Sequence, residues 1–277
     1  MQWIKHCIGI LHFFAAYRPS CHYRMLLQQK EVFMRIVLVV LSLVFFLILF
    51  LPVHLILWVV GKFNPHARIA ASQTIVRNAF RFVMVCAGTK ITVLGREELP
   101  KGEAFLYVGN HRGLADIPVG YITVPTLTGF VAKKELRKVP LFSGWMKSLQ
   151  CLFLDRDDMK EGLKTILKGV EQLKAGYSVF IMPEGTRNRG EELDLLPFKE
   201  GSLKMAEKSG CAIVPVAISN TAAVFENHMP WVRRAHVIIH YGKPIYPADV
   251  PKEERKHLGA TVRSVIIEQL KEDRAIV

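Results

Sequence analysis

The sequence predicts an α/β fold, a mixed sheet flanked by helices, preceded by an N-terminal hydrophobic, membrane-associated helical segment. Three observations predict it. Residues 36–60 run without a single Lys, Arg, Asp or Glu. From about residue 90 the pattern changes to short β-rich runs alternating with amphipathic helical stretches, the arrangement of a sheet covered by helices. The formal net charge of +13 is also concentrated at one end: residues 1–90 hold ten basic side chains and one acid, Glu31, a balance of +9.

Composition narrows the class. The chain has 277 residues, 51% of them hydrophobic, room for one large domain or for a membrane segment plus a domain of roughly 200 residues. That hydrophobic share excludes a disordered chain. Gly and Pro, 19 and 14 in number, are scattered without a period, which excludes collagen-like and low-complexity classes. The five cysteines (Cys7, Cys21, Cys86, Cys151, Cys211) lie far apart with no C-x-x-C pair, so a disulfide-stapled secreted scaffold is excluded and there is no zinc-knuckle signal. The basic excess surrounds an apolar run that is of no use to DNA, so no nucleic-acid partner is expected. Beside such a run, basic side chains suit the headgroups of anionic membrane phospholipids, at about 1 kcal/mol each near the surface.

Residues 1–34 read as a basic N-terminal extension. The apolar residues 7–17 within it look like a weak leader, and an extension ahead of a start at Met25 or Met34 is the alternative. The 25 residues 36–60 extend about 37 Å as a helix, more than the roughly 30 Å hydrocarbon core requires. Pro52 kinks that helix, and His54 follows it. A second apolar stretch, residues 69–87, is interrupted by Arg77 and Arg81, which share one helical face as in an interfacial helix. The apolar run has five basic residues on each flank, so charge sets no orientation. A membrane-embedded or interfacial hairpin over residues 35–89, with both flanks on one side, accounts for the tie; a single span is the alternative.

Residues 90–277 read as one α/β domain without repeats or linkers. Strands are expected at residues 105–108, 129–132, 151–154, 178–182, 212–219 and 236–241. Met159, Leu163, Ile166, Leu167, Val170 and Leu173 recur at helical spacing with Gly176 as the stop, and Leu258, Val262, Val265, Ile266 and Leu270 form a last apolar stripe.

Four segments carry possible chemistry. In the first, an apolar strand ends at Gly109 and His111 follows in a turn that Gly113 keeps flexible, with Asp116 at an expected helix N-cap and Pro118 in the first turn. Five positions on one helix would separate the two side chains by about 140°, so His111 must lie outside the helix for them to meet. A carboxylate then holds one imidazole nitrogen and raises the basicity of the other, the logic of a Ser-His-Asp triad without its serine. The nucleophile would be a hydroxyl on the substrate. Read alone, the same spacing also suits a purely structural pair. The second segment, residues 178–188, runs from a buried-type strand into Pro183-Glu184-Gly185-Thr186-Arg187, and the ends of such strands are where open α/β sheets bind ligands. Arg187 offers a fork of donors suited to phosphate, and Gly185 permits close backbone approach. The third, residues 151–156, ends an apolar strand with Asp155-Arg156. The fourth, residues 213–218, holds Pro215 inside a strand-like run, which requires an edge or a bulge.

In this order and spacing the four segments resemble the glycerolipid acyltransferase family. The matching residues are Asn110-His111 with Asp116, Phe153-Leu154-Asp155-Arg156, Pro183-Glu184-Gly185-Thr186-Arg187 and Val214-Pro215-Val216, and Lys133-Lys134-Glu135-Leu136 with Pro140 is similar to the family's segment before the second motif. The resemblance covers about residues 70–245. It implies transfer of an acyl group from acyl-CoA or acyl-carrier protein to the free hydroxyl of lysophosphatidic acid, giving phosphatidic acid. It further implies His111 as general base oriented by Asp116; Arg156 and Arg187, with Lys133 or Lys134, as holders of the acceptor phosphate; and Glu184 and Gly185 as shapers of the glycerol site. No metal and no bound cofactor is implied, and the catalytic domain is expected on the cytoplasmic face, where thioester is supplied. Gln150 and Ser143 stand where the family usually has Gly, and Met182 where it often has Phe, which bears on substrate identity more than on reaction class. Two rival readings are a metallohydrolase using His111, Asp116 and Glu184 as ligands, and a non-catalytic lipid-binding scaffold on the membrane surface. Among acyltransferases, glycerol 3-phosphate or another lysophospholipid is the alternative acceptor.

Overall fold

The computed structural model describes residues 21–276, with side chains from residue 29 onward. The leader-like residues 7–17 lie outside the described residues.

Helix α1 (Cys21–Leu49) runs almost directly into α2 (Leu51–Phe63). Pro52, in the first turn of α2, has no N–H to continue the ladder. The bonds from Phe50 N to Phe46 O (3.1 Å) and from His54 N to Phe50 O (2.9 Å) nevertheless carry the helical path across the break, which makes it a bend. Asn64 then turns the chain: its Oδ1 accepts from Ala67 N at 2.9 Å, Pro65 opens α3 (Pro65–Ala87), and α3 packs back along both preceding helices. Gly88, at φ +72°, ends α3.

One face of α1–α2 packs on the body of the protein through Ile36, Val39, Phe46, Leu47, Phe50 and Val53. The opposite face exposes large apolar side chains, with Phe45 at 63%, Ile48 at 64% and Ile56 at 61%. Among the described residues one helical stretch, Gln29–Leu49, is long and apolar enough to cross a membrane. Arg77, read in the sequence as sharing an interfacial-helix face with Arg81, bonds to the body of the protein. It turns inward, donating from Nε to Tyr121 O (3.1 Å) and from Nη2 to Val124 O (2.8 Å), and so serves the unpaired carbonyls at the end of α4 (Asp116–Thr123).

The sheet has seven strands in the order β1-β7-β6-β2-β5-β3-β4. These are β1 (Lys90–Leu94), β2 (Phe105–Gly109), β3 (Thr128–Lys133), β4 (Leu152–Leu154), β5 (Ser178–Ile181), β6 (Ala212–Ser219) and β7 (His236–Tyr241). Strands β6, β2, β5, β3 and β4 are mutually parallel; β7 pairs antiparallel with β6, and β1 pairs parallel with β7, so the sheet is mixed. Alternation sorts the residues of β2 to two cores. Phe105 and Tyr107 pack with α3, α4 and α5 (Phe142–Ser148) on one face, and Leu106 and Val108 pack with α6 (Met159–Lys174), α7 (Lys204–Ser209) and α8 (Leu258–Asp273) on the other. The result is a sheet between two helical layers.

Strand β1 was not expected from the sequence: it starts at exposed Lys90, none of its residues is fully buried, and it pairs with β7 alone. Pro215 is not at an edge, but the bulge expected for it is present: the register slips by one on the β7 side, where residues 214–215 of β6 face residues 242–244 of the partner segment. Pro215 sits mid-way along β6, where its nitrogen faces the gap between the Ile213–Ile245 bridge and the ladder that starts at Val216–Tyr241. Its carbonyl accepts from Gly242 N at 2.8 Å on that side.

Gln150, at one of the positions where the family usually has Gly, has φ +58°, a left-handed conformation that costs an L-residue with a Cβ. Gln150→Gly is expected to raise the unfolding free energy by about 1 kcal/mol, the relief of strain exceeding the added chain entropy. Urea denaturation measures it; a loss of stability would contradict the assignment of strain.

Candidate active site

Three of the four segments singled out in the sequence run out of the C-terminal ends of the parallel strands β2, β4 and β5, and the fourth is part of β6 itself. Strand β2 ends at Gly109, where an added Cβ would come within 2.9 Å of the Phe180 ring. Asn110 is fully buried and mimics a peptide group: its Oδ1 accepts from Ile218 N (2.8 Å) and its Nδ2 donates to Ile218 O (2.9 Å). The pairing of β2 with β6 is thereby prolonged by one side chain. The next residue, His111, is held by its backbone from the loop after β5, its N–H donating to Glu184 Oε1 (2.7 Å) and its carbonyl accepting from Asn188 N (2.8 Å). Glu184 Oε2 accepts from Leu196 N at 2.9 Å.

His111 lies outside α4, and its Nδ1 is 2.7 Å from Asp116 Oδ2. Asp116 is the first residue of α4; the N-cap is Ala115, so the expected capping role is corrected. The Asp116 carboxylate reaches back over its own turn instead, with Oδ2 accepting from Arg112 N (2.7 Å) and Gly113 N (2.9 Å). Its Oδ1 accepts a short bond from the Thr221 hydroxyl. The Asp116 side chain has no solvent exposure, whereas that of His111 is 22% exposed. With Nδ1–H donated to the carboxylate, Nε2 is left as a solvent-facing acceptor, and no described residue bonds to it. Gly113 serves close approach: a Cβ there would fall 2.5 Å from Glu226 Oε2.

Glu226 joins two parts of the site. Its Oε1 accepts from Leu114 N (2.8 Å) and from Arg187 Nη1 (3.0 Å). His111, Asp116, Glu184, Gly185 and Arg187 thus form one cluster of contiguous loops. Glu184 is turned inward: both oxygens are taken by backbone N–H groups, and burial pushes its carboxyl pKa up. It holds the His111 backbone with one oxygen and Leu196 with the other, so neither carboxylate oxygen is left free as a metal ligand. Among the described residues no three His, Cys, Asp or Glu side chains gather as ligands. Gly185 has φ +74°, and an added Cβ would meet Lys199 Nζ at 3.1 Å, placing a further cation against the loop.

Lys134, after β3, is tied to the loop after β4 by Asp155 (2.7 Å) and Asp157 (3.3 Å). Lys133 and Arg156 are exposed beside this pair. Three residues were missed in the sequence. Thr221 carries a faint signal as a polar residue just past the end of an apolar strand. Glu226 and Lys199 carry none, because only the fold brings them to the site.

Thr221→Val leaves Asp116 Oδ1 buried without a donor and is expected to lower the unfolding free energy by about 1–3 kcal/mol. Thr221→Ser, which keeps the hydroxyl, should stay near wild type; equal losses in both variants by denaturant titration would remove the hydrogen bond as the cause.

Comparison with known proteins follows the same lines. The family described as Acyltransferase matches residues 90–219. The 1-acyl-sn-glycerol-3-phosphate acyltransferase of Saccharomyces cerevisiae is 34% identical over 205 residues, 73% of this chain and 67% of that one. The protein of the same description from Borreliella burgdorferi is 30% identical over 199 residues, 72% of this chain and 79% of that one. The crystal structure of the 1-acyl-sn-glycerophosphate (LPA) acyltransferase PlsC from Thermotoga maritima superposes with a TM-score of 0.74 at 24% identity, over 89% of this chain and 98% of that one, and so shares the fold.

Proposed function

The chain belongs to the acyltransferase family, and on that premise we propose that it acylates the free hydroxyl of 1-acyl-sn-glycerol 3-phosphate, making phosphatidic acid for phospholipid synthesis. The relatives named for this reaction support the acceptor. The observation that carries the mechanism is the His111–Asp116 bond of 2.7 Å beside an Nε2 that no described serine or cysteine touches. A nucleophile supplied by the protein would sit within hydrogen-bond reach of that nitrogen. With none there, the base acts on a hydroxyl that arrives with the substrate.

In this mechanism Nε2 takes the proton of the glycerol hydroxyl as its oxygen attacks the thioester carbonyl carbon. The C–S bond breaks, the sulfur leaves as thiolate, and the imidazolium proton passes to the departing sulfur or to water. Asp116 holds the ring by Nδ1 and stabilises its charged form. Arg187 presents its guanidinium to the acceptor phosphate while Glu226 fixes one of its nitrogens. Lys133, Lys134 and Arg156 supply further positive charge at the strand ends, and Gly185 lets the glycerol approach the backbone. Acyl-CoA or acyl-carrier protein is the donor; the thioester is already activated, so no bound cofactor enters the scheme.

The acceptor lives in a bilayer, and the α1–α2 arm meets it there. Phe46 and His54 on this arm pack on Trp145 of α5, with ring centroids 5.2 and 5.0 Å apart. An arm bound to the catalytic body in this way cannot cross the bilayer without carrying Trp145 into it, which favours a hairpin seated in one leaflet, on the cytoplasmic side where thioester is made.

The test is thiol release in phospholipid vesicles supplied with long-chain acyl-CoA and lysophosphatidic acid. Acceptor-dependent release should fall by about 10²–10⁴-fold in His111→Ala while the protein stays folded. Release equally strong without acceptor would make the protein a thioesterase, and undiminished transfer by the variant would remove His111 as base.

A further inference from the structure

The connector between β6 and β7, residues 220–235, brings Thr221 and Glu226 to the site, but its far end has no part in the acyl transfer. That end carries Met229, 62% exposed, and Trp231, 42% exposed, followed by exposed Arg233 and Arg234. The segment is pinned from beneath. Val232 is buried, Trp231 N donates to His228 O (2.8 Å), and Arg233 N donates to Val224 O (3.0 Å). The two large apolar side chains are therefore held outward by a fixed backbone.

Their neighbours indicate what they meet. The Trp231 ring stands edge-on to Phe33 of α1, with centroids 6.4 Å apart, and Arg234 Nη2 lies 3.9 Å from Glu31 Oε2. Phe33 is 57% exposed and opens the apolar face that continues along α1 through Met34, Leu38 and Leu41. The connector thus extends the exposed face of the α1–α2 arm sideways and adds to it an amphipathic indole and two guanidinium groups. Indoles favour the headgroup level of a bilayer, and guanidinium groups pair with phosphates. We propose that residues 229–234 dock on the surface of an anionic phospholipid bilayer, with Met229 and Trp231 at the boundary between headgroups and acyl chains and Arg233 and Arg234 on lipid phosphates. This inference rests on the reading of α1–α2 as membrane-seated. Eight residues before Met229 the same connector bonds to Asp116, and three residues before it to Leu114 and Arg187. Docking therefore sets the height of the catalytic base above the lipid from which the acceptor comes.

Two single-tryptophan forms of the full chain test it in anionic vesicles containing phospholipids brominated at different acyl depths. One keeps Trp231 and the other Trp58, with the remaining tryptophans replaced by Phe. Shallow bromines should quench Trp231 strongly, and deeper ones should quench Trp58. Quenching of Trp58 with Trp231 untouched overturns the docking and leaves the membrane seat in place. Failure to quench either overturns the membrane seat itself. In the otherwise intact chain, Met229→Ser with Trp231→Ser should slow transfer to a long-chain acceptor in vesicles severalfold and leave transfer to a short-chain, water-soluble acceptor unchanged. Equal loss on both acceptors, no loss on either, or lost vesicle transfer that accompanies capture of a protein partner at this surface would each overturn it.

Discussion

The site depends on one buried carboxylate. Asp116 has no exposed surface, and removing a charge from water is tolerated only where hydrogen bonds replace hydration. Its two oxygens receive four donors: the backbone N–H groups of Arg112 and Gly113, the Nδ1–H of His111 and the hydroxyl of Thr221. The first two shape the turn after β2, the third sets the His111 ring, and the fourth draws in the connector after β6. One charge therefore organises the loop, the imidazole and a distant strand end together, and a fault in any of the donors reaches the imidazole.

The sheet makes this convergence possible. Strands β6, β2 and β5 are parallel neighbours, so the loops leaving their C-terminal ends share one edge and meet over β2. Asn110 extends β2 by pairing with Ile218, Glu184 receives the His111 backbone from the β5 side, and Thr221 reaches Asp116 from the β6 side. Glu226 closes the ring by joining Leu114 to Arg187, which couples a cation suited to phosphate with the loop that holds His111. The α1–α2 arm presents its apolar face outward and packs its other face on the same body.

Much of this was legible in the sequence, for physical reasons. Five of the strands announce themselves because the parallel core needs continuous apolar runs, β7 reads as a similar run, and the amphipathic helix that stops just before Gly176 shows its period plainly. His111 with Asp116 was visible because the two are close in the chain and their spacing admits only one way to meet. What escaped were interactions between distant parts of the chain. Thr221 lies 105 residues from its partner Asp116, and Glu226 lies 39 from Arg187. The inward bonds of Arg77 could not be read because its carbonyl partners come from another helix, nor those of Glu184, whose two backbone donors are 73 and 12 residues away. Spacing reports local pairings; the fold alone assigns the remote ones.

The central claim is that the charge of Asp116, and not only its shape, makes His111 a base. Asp116→Asn separates the two. The amide oxygen can take the position that receives Arg112 N, Gly113 N and His111 Nδ1, while the amide nitrogen faces the Thr221 hydroxyl, which can accept as well as donate. The geometry of the ring is then kept and only the negative charge beside the imidazolium is lost. Acceptor-dependent kcat in vesicles should fall by about 10²-fold or more with the melting temperature little changed. A variant that stays folded and retains kcat within about threefold, well short of the effect of a working general base, would contradict the account.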